Sequence, residues 1–93
     1  MSERTALVDL PLGASGVVAD VGCPRGIARR LMEMGLLPGT PITIVRIAPL
    51  GDPLELRLRS YSLSIRRQEA AAIYLEEVLE PVTAPAAAER AVP

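Results

Sequence analysis

The sequence contains no histidine, lysine, tryptophan or phenylalanine, and its only aromatic residues are Tyr61 and Tyr74. Without histidine, general base catalysis near neutral pH needs a carboxylate or tyrosine of strongly shifted pKa, and no serine or cysteine nucleophile can pair with an imidazole. The seven glycines form neither a P-loop nor a GxGxxG pattern, so no nucleotide site is indicated. We therefore expect that the protein is not an enzyme.

The shortage of aromatic side chains also excludes two common roles of small β proteins. Recognition of proline-rich peptides needs a groove of aromatic rings, and binding of single-stranded nucleic acid uses aromatic rings as stacking platforms. Any interface must therefore be aliphatic or arginine-based. All ten cations are arginines, which leaves a local carboxylate-binding patch open. The net charge of -1 argues against nucleic acid as the main partner.

The sequence has a single cysteine, Cys23, and lacks a long apolar run. One cysteine excludes an internal disulfide, and the N-terminus lacks the basic and apolar regions of a signal peptide. No apolar stretch approaches the roughly 20 residues that a helix needs to span a bilayer. We therefore expect a cytoplasmic protein that does not insert directly into a membrane.

Length and composition predict one small globular domain between two polar ends. Hydrophobic residues make up 49% of the chain, which suffices for a core of aliphatic side chains. Residues 1–5 are expected to be a flexible N-terminus, and residues 80–93, EPVTAPAAAERAVP, a disordered Pro/Ala-rich tail. Residues 6–79 are then the folded domain.

The spacing of apolar residues predicts a strand followed by a short helix. VVADVG is typical of a strand, whereas Ile27, Leu31 and Met34 fall at the i, i+4 and i+7 positions of an amphipathic helix. Gly35 is the residue type favoured just after a helix, and Pro38 prevents continuation. The helix is therefore expected to end near Met34.

Alternation of apolar and polar residues returns after the helix. TPITIVRIA predicts a strand, and its adjacent Ile44 and Val45 predict a bulge or burial on both faces. A hairpin follows, and its inward residues are expected to be Leu54, Leu56, Leu58, Leu63 and Ile65.

With Ser60 and Tyr61 as the turn of this hairpin, Leu58 opposes Leu63, Leu56 opposes Ile65, and Glu55 opposes Arg66.

The end of the domain completes the predicted fold. RQEAAA predicts a single helical turn, and IYLEEV a closing strand with Ile73 and Leu75 facing inward. Rolling such short strands into a barrel removes the edges that they would otherwise expose. The predicted fold class is mainly β: a small barrel of about five strands with a short inserted α-helix and a single-turn helix before the last strand.

Two residues are candidates for a functional site on chemistry alone. Cys23 precedes a helix whose N-terminal amides could stabilise a thiolate, so it is a candidate ligand for iron or zinc. A tetrahedral zinc site needs four ligands, and the others would be carboxylates or come from a second copy. An inert, half-buried cysteine is the simpler interpretation. Asp52 either makes a side-chain-to-backbone bond in its turn or presents an exposed acceptor to a partner.

The sequence contains, in this order, the stretches RRLMEMGLLPGT and APLGDPLELRLRSYSLSIRRQEA. Together they resemble the ferrous iron transport protein A (FeoA) family, and the resemblance covers residues 6–78. It implies an SH3-like β-barrel with a helical insertion, no catalysis and no certain cofactor. It also implies a cytosolic accessory or regulator of ferrous iron uptake that binds the cytosolic G-protein part of the membrane iron transporter (FeoB).

Under this resemblance, the proline-bracketed loop and the end of the helix are expected to bind the transporter. A loop with two prolines loses little entropy on binding, and exposed Met and Leu side chains with arginine at the rim are typical of an interface. The expected partner-binding residues are Arg29, Arg30, Met34, Leu37, Pro49, Leu50, Gly51, Asp52 and Pro53.

Two other functions stay open at this point. The protein could be a metal sensor or metal-delivery protein that uses Cys23 and carboxylates, which predicts stoichiometric metal in the purified protein. It could also be a nucleic-acid-binding barrel that uses Arg57, Arg59 and Arg66 on the outer face of the hairpin, which predicts retention that falls steeply with salt. Exposed barrel edges and an aliphatic patch also leave a homodimer open, whichever function applies.

Overall fold

The computed structural model describes residues 4–81; the predictions for residues 1–3 and 82–93 lie outside the described residues. Within this part of the chain the strands are β1 (Thr5–Ala6), β2 (Ser15–Val21), β3 (Pro41–Ile47), β4 (Leu54–Arg57), β5 (Ser62–Ile65) and β6 (Ile73–Leu79). The helices are α1 (Arg25–Glu33) and the single turn α2 (Arg67–Ala70), and 3₁₀ turns span Leu7–Asp9 and Pro49–Gly51.

The strands form one antiparallel sheet in the order β1-β6-β2-β3-β4-β5. The predicted mainly β fold with an inserted helix and a single-turn helix before the last strand is confirmed. The additional strand, β1, is two residues long and places Thr5 opposite Leu75 and Ala6 opposite Tyr74. None of the helices in residues 4–81 is long and apolar enough to cross a lipid bilayer.

Aliphatic side chains from the inner face of the sheet and from α1 form one core. The five hairpin residues predicted to face inward are at most 7% exposed, and Ile73 and Leu75 of β6 are fully buried, as predicted. β2 contributes Val18, and the helical insertion contributes Leu31 and Leu36. The described part of the chain buries no charged or polar residue, so this core is held by apolar packing alone.

The end of α1 forms where the sequence predicts it. Met34 is the C-cap, and the N–H of Leu36 donates to the carbonyl of Leu31 at 3.0 Å, while the N–H of Gly35 donates to the carbonyl of Met32 at 3.0 Å. This pair of bonds is a Schellman motif, which supplies N–H donors to carbonyl groups that would otherwise have none at the end of a helix. Gly35 has a φ of +108°, which glycine adopts without a Cβ clash.

β3 contains the predicted bulge. Ile44 opposes Leu56 and Arg46 opposes Glu55, so Val45 has no partner of its own on β4. Ile44 is fully buried and Val45 is 38% exposed, which shows that the bulge turns Val45 outward.

The predicted register of the hairpin is wrong by two residues. Leu56 opposes Leu63, and Leu54 opposes Ile65. Glu55 therefore lies opposite Ser64 instead of Arg66.

The tip of this hairpin is one residue earlier than predicted, since the N–H of Leu58 donates to the carbonyl of Tyr61 at 2.9 Å. Arg59 and Ser60 then lie at the tip. A shift of two residues keeps every side chain on its face, so the hydrophobic pattern could not distinguish the two registers.

Candidate partner-binding site

The loop of residues 49–53, between β3 and β4, carries a fully exposed leucine. Leu50 lies in a 3₁₀ turn with a φ of +70°, and its side chain is open to solvent. A leucine in this left-handed region costs about 1–2 kcal/mol, and such strain is found preferentially at functional positions. Leu50 is therefore a candidate contact residue.

Asp52 attaches this loop to α2. Its Oδ1 accepts a hydrogen bond of 3.1 Å from the backbone N–H of Arg67, the first residue of α2, which has no acceptor within the helix. The Arg67 guanidinium also lies close to Gly51, where a Cβ would approach Nη1 to 3.0 Å. Asp52 thus makes a side-chain-to-backbone bond, but to a residue 15 positions away and not within its own turn.

Glu69 joins α2 to α1, and no sequence motif marked it as a functional residue. Its Oε1 accepts the backbone N–H of Arg66 at 3.1 Å, and its Oε2 accepts Nη2 of Arg30 at 2.8 Å. The first contact is the Glu half of a capping box, which normally starts with Ser or Thr. Here Arg66 takes the place of the Ser or Thr. The capping-box pattern, which could have identified Glu69 from the sequence, is therefore incomplete.

Tyr61 makes a second connection to α1, this one from the hairpin. Its hydroxyl donates to the carbonyl of Met34, the C-cap residue. Tyr61 precedes β5 and pairs with the end of α1, whereas Glu69 follows β5 and pairs with Arg30, one turn earlier. The last turn of α1 therefore runs antiparallel to β5 and is attached to the chain before and after it.

An open groove of about 460 Å³ lies between these connections. We name it the α1–β5 groove, and its lining residues are Arg30, Leu31, Met34, Pro53, Ser64, Ile65, Arg66 and Glu69. A smaller hollow of about 240 Å³ shares Pro53 and Ser64 with it. Apolar walls with a few charged groups at one end are typical of a binding groove.

The structure brings together part of the predicted partner-binding set. Arg30, Met34 and Pro53 come from α1 and the 49–53 loop and line the same groove. Leu37 instead lines a separate hollow. Arg29 makes an exposed ion pair of 3.6 Å with Glu33 along the helix, a kind of pair that contributes little to stability.

The remaining predicted residues, Pro49, Leu50, Gly51 and Asp52, belong to the 49–53 loop. Contact of a partner with any of the nine stays a prediction.

Cys23 is half-buried, and its thiol donates to the carbonyl of Glu69 at 3.6 Å. Burial raises the pKa of the Cys23 thiol, and the negative charge of Glu69 raises it further. A metal binds the thiolate, so metal would have to displace a proton that the site retains. Within residues 4–81, no group of three or more Cys, Asp or Glu side chains is placed to hold a metal ion.

The three arginines expected on the outer face of the hairpin lie in different places. Arg57 ends β4 and Arg59 lies at the tip, and both are exposed. Arg66 follows β5 as the N-cap of α2 and lines the α1–β5 groove. Arg66 therefore lies just beyond the hairpin ladder, which ends at Ile65, instead of opposite Glu55; a basic face formed by the three arginines stays a prediction.

Comparison with known proteins identifies the family. The model of the FeoA domain matches residues 5–77. The chain belongs to the FeoA domain family. FeoA proteins are non-catalytic accessory proteins of ferrous iron transport with an SH3-like fold.

One relative of this FeoA-family chain joins two functions in a single polypeptide. It is the Fe(2+) transport protein A/Fe(2+) transporter FeoB fusion protein of Porphyromonas gingivalis, 40% identical over 78 residues. The match covers 83% of this chain and 9% of the fusion protein, so the chain spans only a small part of the curated relative it matches.

Solved structures of FeoA proteins have the same fold. The FeoA-like protein of Clostridium acetobutylicum is 39% identical, with a TM-score of 0.75 over 88% of this chain and 94% of that one. FeoA of Stenotrophomonas maltophilia, complexed with zinc, is 28% identical, with a TM-score of 0.68 over 88% of this chain and 99% of that one.

Proposed function

We propose that this FeoA-family protein is a cytosolic regulator of ferrous iron uptake that binds the cytosolic G-protein part of a membrane ferrous iron transporter. The observation that supports this proposal is the fusion of a homologous domain to a FeoB transporter in Porphyromonas gingivalis. Fusion raises the effective concentration of one part at the other, which favours parts that bind each other. The same binding partner is then expected for the domain of this chain.

The proposed contact surface combines the 49–53 loop with the end of α1. Leu50 and Met34 are its exposed apolar side chains, and Arg30 and Asp52 provide charge at its margin. A domain of this size presents a small interface, so the affinity should be modest.

The test is a binding titration with the purified cytosolic domain of the FeoB transporter from the same organism. Met34→Asp and Leu50→Asp should each lower the affinity about tenfold or more, because they place a charge in an apolar contact. Leu12→Asp is the matched control: Leu12 is an exposed leucine outside the proposed surface, and the variant should bind as the wild type does.

Two results would contradict the proposal. The first is absence of binding by the wild-type protein with GDP, with a GTP analogue and with or without ferrous iron. The second is equal weakening by all three leucine and methionine substitutions, since the surface would then have no special role.

Metal binding, with Cys23 as the candidate ligand, is the second candidate function, and the zinc complex of the Stenotrophomonas maltophilia protein supports metal binding by a FeoA fold. In this chain the protonated thiol works against it. A competitive titration with zinc and ferrous iron should be run on the wild type and on Cys23→Ser. Equal, weak binding by both proteins would exclude Cys23 as a ligand.

A further inference from the structure

The free edge of β5 exposes backbone hydrogen-bonding groups. Among the described strands, β5 is last in the sheet order and pairs with β4 alone. The N–H of Leu58 donates to the carbonyl of Tyr61, so these two residues form a hydrogen-bonded pair in the hairpin. Hydrogen-bonded and non-hydrogen-bonded pairs alternate along an antiparallel ladder.

This alternation determines which groups point away from β4. Counting back from Leu58 and Tyr61, Leu56 and Leu63 form a hydrogen-bonded pair, whereas the pairs of Ser62 and Ser64 with β4 are non-hydrogen-bonded. The backbone N–H and C=O groups of Ser62 and Ser64 therefore point to the open side of β5. Such unpaired groups are a template for an added strand.

The α1–β5 groove meets this open edge at the C-terminal end of β5, and Ser62 lies beyond its lining. Its lining includes both Ser64, which faces outward, and Ile65, which faces the core. Neighbouring residues of a strand point to opposite faces, so a cavity that contacts both reaches β5 at its edge and around its end, where Pro53 and Arg66 also line it. Leu31 and Met34 form the opposite, apolar wall.

The charges at the groove leave one arginine without a carboxylate. Arg30 and Glu69 neutralise each other at 2.8 Å, and the Glu69 side chain is only 12% exposed. In residues 4–81, Arg66 makes no ion pair within 4.0 Å, and it follows β5 directly. The groove therefore carries a net charge of about +1, on a guanidinium suited to a bidentate contact with a carboxylate.

We propose that the α1–β5 groove binds an extended acidic segment of a partner protein, which pairs with β5 as an added strand. The segment bonds to the backbone of Ser62 and Ser64, places an apolar side chain against Leu31 and Met34, and directs a carboxylate to Arg66. Addition of a strand gives affinity through the backbone and specificity through alternate side chains. That the partner is the transporter rests on the proposed function. That the groove binds an extended acidic segment rests on the structure of the groove and is independent of it.

The probe is a capped six-residue peptide of alternating valine and glutamate, titrated into ¹⁵N-labelled protein and followed by NMR. Amide shifts are expected to concentrate at Ser62, Ser64 and Arg66, with a dissociation constant on the order of 1 mM because the contact is small. A peptide with lysine in place of glutamate should bind at least tenfold more weakly, as should peptides with every second amide N-methylated.

Arg66→Gln should weaken binding of the glutamate peptide about tenfold, through loss of a charge-assisted hydrogen bond. Arg57→Gln is the matched control, since it removes the same charge from the outer face of β4 and should leave binding unchanged. Glutamine at position 66 retains the backbone N–H that Glu69 caps, so the fold of α2 is preserved.

Several outcomes would overturn the inference: no shifts at β5, equal binding of the lysine or N-methylated peptides, or equal weakening by Arg66→Gln and Arg57→Gln. Shifts of the β5 amides with protein concentration alone would show that a second copy occupies the edge instead.

A parallel titration with the FeoB cytosolic domain separates the groove inference from the proposed function. Binding of the transporter domain without any β5 shift by the peptide refutes the groove inference alone, whereas β5 shifts with the peptide and no binding of the transporter domain refute the proposed partner alone.

Discussion

Gly35 is the residue whose identity the structure constrains most. It has a φ of +108°, and a Cβ at this position would overlap the hydroxyl of Tyr61. The sequence predicted only the positive φ, because Gly35 stands where a helix end favours glycine. The lack of space for a Cβ arises because Tyr61, from the hairpin, bonds to the carbonyl of the preceding residue, Met34.

Gly35→Ala should lower the free energy of unfolding by more than about 2 kcal/mol, since it combines left-handed strain with a steric clash. Gly39→Ala is the matched control: Gly39 has a φ of +91° and open space around it, so only the strain of about 1–2 kcal/mol applies. Chemical denaturation measures both values. Combining Gly35→Ala with Tyr61→Phe should recover part of the loss, and equal losses for the two glycine variants would exclude the clash.

Cys23 should be an unreactive thiol at neutral pH. Burial and the charge of Glu69 raise the pKa of its thiol in the folded state. Alkylation by iodoacetamide should therefore be slower in the folded protein than in urea, and should accelerate only at a pH above the ordinary thiol range.

The same shift predicts the sign of a pH effect on stability. Below the unfolded-state pKa of the thiol, the protonated Cys23 contributes its full amount to the free energy of unfolding. This contribution is lost as the pH rises through the higher folded-state pKa. Cys23→Ser should remove the part of the stability loss at alkaline pH that the thiol causes. A folded protein that reacts as fast as the unfolded one, or a Cys23→Ser variant with an unchanged alkaline profile, would contradict this assignment.

At the scale of elements, α2 depends on groups from elsewhere in the chain. A helix of four residues has no stability of its own, and its first N–H groups need acceptors. Asp52 supplies one from the 49–53 loop, and Glu69 caps Arg66. The loop and α2 are therefore expected to order together.

Asp52→Ala should lower the free energy of unfolding by about 1 kcal/mol, the usual effect of losing a helix cap. Amide exchange of Arg67 should accelerate together with that of Gly51, because both ends of the contact are released. Asp9→Ala, which removes an exposed carboxylate with no hydrogen bond among the described side chains, is the control. Faster exchange confined to one of the two segments would show that they are not coupled.

The hairpin shows how far an element can be predicted from its pattern. Alternation of leucines correctly predicted which residues of β4 and β5 face inward. The predicted register was wrong because Glu55 and Arg66 offered an attractive charge pair, whereas Tyr61 in fact bonds to α1 and Arg66 is the N-cap of α2. Contacts outside the hairpin therefore selected its turn.

At the scale of the whole molecule, one continuous aliphatic core stabilises the sheet and α1 together. Leu56, in the centre of the sheet, is fully buried, whereas Leu50 is fully exposed and strained. The two leucines should therefore separate stability from binding. The core supports the fold, and the exposed leucine is proposed to contact the partner.

Leu56→Ala should lower the free energy of unfolding by about 2–5 kcal/mol through the cavity that it leaves. Leu50→Gly should leave stability unchanged or raise it by up to about 1 kcal/mol, because relief of the left-handed strain offsets the extra freedom of the unfolded chain. Denaturation and binding to the FeoB cytosolic domain should be measured on both. A Leu50→Gly variant that is clearly destabilised yet binds normally would contradict the assignment of Leu50 to the interface.

The sequence by itself determined the type and order of the elements, the end of α1, the bulge of β3 and the inward residues of the hairpin. These features follow from local periodicity and from residues with special backbone preferences. Only the tertiary structure decided the register of β5, the role of Glu69 and the grouping of Arg30, Met34 and Pro53 at one groove. Those features depend on contacts between residues far apart in the chain, and a repeat of two residues cannot specify which of several equivalent registers such contacts will favour.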